Sequence, residues 1–139
     1  MQSTVADAAR FSDLVVAPLP YGKDYSGAGV QVVEAALFGA QVPVLIVPGT
    51  LPAAFSRAAI AWNDSPEALA AIRAALPVLC EAKEVEIVLI DPPSYGPDRS
   101  DPGGRLQQML TRHGVAASIR ILSRGSDSVG MVLSRHLGE

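Results

Sequence analysis

The 139-residue chain has one cysteine, one tryptophan and only 5% aromatic residues. With Cys80 alone, neither an intramolecular disulfide nor a thiolate zinc cluster can form, and a reducing compartment is the expectation. Cys80 falls on the apolar face of a predicted helix, so an inert, buried thiol is expected there. No apolar stretch approaches the length of a membrane span, and Asp7 and Arg10 interrupt the N-terminal segment, which excludes a signal-peptide pattern. The chain is therefore expected to be cytoplasmic. Its 11 Lys and Arg are scattered against 14 Asp and Glu, giving a net charge of −3 and no basic stripe for nucleic acid. No internal repeat is visible. What remains is 49% hydrophobic and 18% charged, a composition that supports one globular core.

Short apolar runs alternate with helical stripes. Leu14–Ala17, stopped by Pro18 and Pro20, reads as a strand buried on both faces. Val32–Ala40 follows as a helix with Val33, Ala36, Leu37 and Ala40 on one side. Val44–Val47, between Pro43 and Pro48, is a second strand. Ala58–Trp62 is a third. Ser65 is a suitable N-cap with Pro66 at the first helical position, and Leu69, Ile72, Leu76 and Leu79 form the stripe of the helix they start. Pro77 is expected to kink it. Glu84–Ile90 is a fourth strand and Asp91–Gly104 a loop rich in proline, glycine and aspartate. Leu106, Met109, Leu110 and His113 share a helical face ended by Gly114. Ala117–Leu122 is a fifth strand, Asp127–Leu137 a closing helix, and Thr4–Phe11 the end of another. Every strand-to-strand step except one contains a helix, so the sheet is expected to be parallel with right-handed crossovers. The exception is Gly49–Ser56, eight residues that reach about 27 Å when extended.

These segments, taken together, resemble the universal stress protein family. Arg57–Ser65, with the helix ending Ala75-Leu76-Pro77-Val78-Leu79, is similar to that family's first strand and helix. Leu110-Thr111-Arg112-His113-Gly114-Val115 resembles the end of its second helix. Ser12–Val16 resembles its fourth strand and Val42–Pro48 its last. The order is permuted: residues 1–50 resemble the C-terminal half of a domain, 51–56 a linker, and 57–139 the N-terminal half of the next. The resemblance thus implies the middle of a tandem protein, its parts forming one five-stranded, mainly parallel α/β sheet flanked by helices. Strand order would be 5-4-3-1-2 in order of occurrence, reached by closure within one chain or by two chains exchanging halves. A homodimer is the expected partner state, with Val42–Pro48 as candidate interface.

Ligands of open parallel sheets bind beyond the carboxyl ends of the strands. That edge collects Trp62, Asn63, Asp64 and Asp91, together with the loop containing Gly22, Gly27 and Gly29. ATP-binding family members close the first strand with an acidic residue and cradle phosphates in a Gly-x2-Gly-x9-Gly-(Ser/Thr) loop. Here Asn63 takes the acidic position, Pro18 and Tyr21 stand where the first two glycines belong, and Val30-Gln31 where Gly-Ser belongs. These departures predict loss of the family-type ATP cradle, so no cofactor is expected. Gly22, Lys23, Gly27 and Gly29 either form a different anion loop or serve as turn residues. Trp62 either stacks on a base or packs in a core or interface. Asp64 and Asp91 either hold a metal or phosphoryl group, as in a receiver, or are a helix N-terminal charge and a loop residue. No lysine follows a terminal strand to complete a receiver site, and His113 and His136 read as packing or dipole partners. With no catalytic triad, metal spacing or phosphate loop, no enzyme is expected, and the resemblance implies a stress-response module acting through dimerisation and protein contacts. A nucleotide-binding regulator and a receiver-like phosphorylation switch are the alternatives.

Overall fold

The computed structural model describes residues 2–22, 27–49, 56–93 and 100–138. Lys23 and all of the predicted 51–56 linker but Ser56 lie outside them. The chain divides into two compact units, Met1–Ala53 and Ala54–Glu139. Each is α/β, with a small parallel sheet and its own helices.

In the first unit, helix α1 (Gln2–Ala9) precedes strand β1 (Val15–Pro18), helix α2 (Ala28–Glu34) and strand β2 (Val44–Val47). β1 and β2 pair in parallel with Val15 opposite Val44. The helix predicted over 32–40 begins four residues earlier, at Ala28, and its second half, Ala35–Ala40, is wound as a π-helix. Gly27 caps it at φ 68°, so the turn that glycine permits is local to the helix start. α1 crosses the π-helical part closely: a Cβ on Gly39 would stand 2.9 Å from Ala6 Cβ. The expectation that β1 is buried on both faces is corrected. Ala17 is buried, but Val16 and Pro18 point to an uncovered face, Val16 being 60% exposed.

The second unit carries strands β3 (Arg57–Ala61), β4 (Glu84–Ile90) and β5 (Ala117–Leu122), parallel and in that spatial order. Helix α3 (Pro66–Glu81) joins β3 to β4, α4 (Gly104–Arg112) precedes β5, and α5 (Val129–Leu137) follows it. Ser65 accepts the Ala68 N–H at 3.1 Å, the predicted N-cap. Pro77 lies inside α3, as its place in the sequence predicts, and the helix continues to Glu81. α4 ends in a Schellman turn: Gly114, at φ 80°, donates to Thr111 O at 3.0 Å and Val115 donates to Leu110 O at 3.0 Å. Its apolar counterpart is the packing of Val115 and Leu110, both buried. Around them Ile60, Ile72, Leu79, Val85, Ile87, Leu89 and Leu106 form the core between the sheet and α3 and α4. Cys80 corrects the expectation of burial. It is exposed on α3, its thiol donating to His113 O at 3.6 Å. Among the described residues no helix is long and apolar enough to cross a membrane.

Candidate functional site

Residues alternate across a strand, so β4 serves two faces. Val85, Ile87 and Leu89 belong to the core, while Glu86, Val88 and Ile90 point the other way, toward α5. At the carboxyl ends of β3 and β4 this second face opens into a cleft of about 470 Å³. Ala61, Val88 and Ile90 form its floor, Val129 and Leu133 of α5 one wall, and Ser65, Glu67 and Ala68 of α3 another. Trp62 and Asn63 complete the lining. The volume falls within the range of small-molecule sites, which are mostly apolar with a few polar groups that orient the ligand.

Two of the seven sequence candidates, Trp62 and Asn63, therefore meet at one place. Trp62 is half-buried, packs against the core cluster as one of its two expected roles requires, and also lines the cleft. Asn63 Oδ1 accepts the Ser65 N–H at 3.2 Å, an Asx turn that leaves its amide NH2 as the remaining hydrogen-bonding group. Among the described lining residues the only charged one is Glu67. A site so lined suits an uncharged, flat, partly apolar ligand better than a polyphosphate.

The other candidates lie elsewhere. Asp64 is exposed with φ 59°, next to the cleft in sequence but not lining it. Asp91, at φ 43°, is turned toward β5: its carboxylate accepts the Arg124 N–H at 3.3 Å and lies 3.7 Å from Arg124 Nε. It is occupied in tying two loops together. Gly22 (φ 137°), Gly27 and Gly29 belong to the first unit. Gly29 is not a loop residue, as expected, but sits in the first turn of α2. Among the described residues no three metal-ligating side chains come together.

A second cluster lies at the opposite, amino-terminal edge of the three-stranded sheet. His136 Nε2 of α5 is hydrogen-bonded to Glu86 Oε2, and Arg120 Nε lies 3.3 Å from Glu86 Oε1. The bond from His136 holds the Glu86 carboxyl below the usual carboxylate range. Burial opposes this and the Arg120 guanidinium adds to it. Glu86 and His136 line a cleft of about 460 Å³ with Arg57, Lys83, Glu84 and Ser118. Sequence reasoning passed over Glu86, although an acidic residue inside the apolar run Val85–Ile90 is itself a signal that a partner faces it. No family model matches the chain, and no curated protein matches it significantly.

Proposed function

We propose that the chain is a non-catalytic, universal stress protein-like module that works by assembly. Its two sheets would join edge to edge into one five-stranded parallel sheet, within one chain or between two chains exchanging halves. The supporting observation is a pair of matching open edges. Toward β4, β3 uses Ser56 O and the Trp62 N–H, which donates to Val88 O at 2.9 Å. By alternation, Ala59 and Ala61 turn their N–H and C=O groups outward. Toward β2, β1 uses the N–H of Val15, on Pro43 O, and of Leu19, on Val47 O, so Val16 faces outward. Among the described residues neither edge has a strand partner. Unpaired parallel edges of this kind template further pairing. The outer edge of β5 is different: Gln107 Nε2 donates to Ala117 O at 2.6 Å and blunts it. Joining β3 to β1 yields the order 5-4-3-1-2 and leaves β2 as the free edge, where Val44 and Ile46 could meet a protein partner.

The test removes one outward donor at a time. Val16→Pro or Ala59→Pro deletes an N–H on the open edge and leaves the pairs β1–β2 and β3–β4 intact. Small-angle scattering with light scattering should give the parent chain either a dimer mass or a closed monomer with a radius of gyration of about 14 Å. Both proline variants should be more extended or monomeric. An extended monomer that neither substitution changes would refute the proposal.

A second reading rests on the cleft at Trp62. An aromatic side chain, an amide and apolar walls favour a nucleoside-like ligand, and the lack of a described cation in the lining disfavours ATP. This reading keeps the ring-binding part of the nucleotide-regulator expectation without its phosphates.

A further inference from the structure

α5 is nine residues long, about 13 Å, and lies along the face of β4 that bears Glu86, Val88 and Ile90. Near its start, Val129 and Leu133 wall the cleft that holds Trp62. At its end, His136 lines the cleft at the amino-terminal edge. One helix thus borders two clefts at opposite ends of the same strands.

Little apolar surface holds it there. Val132 is its one buried residue among those described, Leu133 and His136 are half-buried, and Val129, Met131 and Leu137 are exposed. Elements so thinly packed open at lower free energy than the core they cover. The polar anchor is the His136–Glu86 hydrogen bond, made to a carboxylate that Arg120 also contacts. A bond to an ionised, half-buried acceptor is among the stronger single contacts available to such a helix. Of the neighbouring charges, Arg57 Nε lies 3.5 Å from Glu84 Oε2 and Arg135 is bonded to Asp127, while Lys83 lines the same cleft.

We infer that α5 is a movable wall of the Trp62 cleft, latched at its far end by the bond between His136 and Glu86. The latch does not depend on what the cleft binds, and its test needs no ligand. Trp62 is the only tryptophan, so its fluorescence reports the cleft directly. In the full chain, His136→Ala should speed amide exchange of Met131–Leu137 about tenfold, while exchange in the β4 core stays unchanged. Acrylamide quenching of Trp62 should rise about twofold in the same variant. Glu86→Gln, which keeps the side-chain shape and removes the charge, should shift both readouts in the same direction. Faster α5 exchange with unchanged quenching would show that α5 does not wall the cleft. Unchanged exchange in both variants would show that the bond is no latch, and equal acceleration in β4 would show a merely global loss of stability. Each of these results overturns the inference.

Discussion

Glu86 near the start of β4 and His136 in the last turn of α5 stand 50 residues apart in sequence and share a hydrogen bond. The charged groups around them are Arg120 on β5 and, in the same cleft, Arg57, Lys83 and Glu84. Because the folded state holds the Glu86 carboxyl below its ordinary value, the unfolded chain binds its proton more readily. On the Glu86 side the bond therefore stabilises the second unit above the unfolded carboxylate pKa of about 4.3 and loses that contribution as pH falls through the folded value. Protection of the α5 amides, taken relative to the intrinsic exchange rate at each pH, should fall on acidification below about pH 4.3, and Glu86→Gln should remove that step.

Gly39 and Ala6 set the distance between α1 and the π-helical turn. Gly39→Ala would place a methyl 2.9 Å from Ala6 Cβ, closer than packed carbons tolerate, and both neighbours are helical backbone-anchored atoms that must move together. A loss of about 1–3 kcal/mol is expected for such overpacking. Exchange of the α1 amides should report it, with the core of the second unit unaffected.

Ser65 caps α3 through its hydroxyl on the Ala68 N–H. Ser65→Ala should cost about 1 kcal/mol in denaturant unfolding, and Ser65→Asp should retain most of the stability because its carboxylate can accept the same bond.

The lining of the Trp62 cleft predicts an order of ligands. At equal concentration adenosine should raise the melting temperature and quench Trp62 more than ATP does, since Glu67 is the charged residue there. A ligand present at about 100 times its Kd stabilises by about 2.7 kcal/mol. A larger shift with ATP would point to a phosphate site outside this cleft, and no shift with either would remove the nucleoside reading.

Much of the local structure is legible in the residues themselves. β2, β4 and β5 occupy the predicted spans, because short segments rich in valine, isoleucine and leucine, bounded by prolines, glycines and charges, leave few alternatives. β1 and β3 lie one residue from their predicted positions. Ser65-Pro66 starts α3 and Gly114 ends α4 through bonds their own side chains or backbone make within a few residues. Where periodicity alone was the guide, the result is weaker. Ala28–Gln31 extend α2 backward through residues with no helix-start signature except Gly27, and Ala35–Ala40 widen to a π-helix that no 3.6-residue pattern encodes. Cys80 shares the apolar stripe in sequence yet is exposed, since the stripe is wider than the surface α4 and the sheet cover.

The candidate site divides in the same way. Trp62 and Asn63 could be placed at the end of a strand from sequence because strand ends are set by local turn chemistry. That Asp91 turns to Arg124 while Val129 and Leu133 come to face Trp62 could not. The sequence by itself determined the strands, the caps and the α/β alternation, all of which depend on contacts within one or two turns of chain. Only the tertiary structure decided which face of each strand is covered, which edges stay open and that Glu86 meets His136. Those outcomes depend on burial and hydrogen bonding between segments tens of residues apart, and no local pattern carries that information.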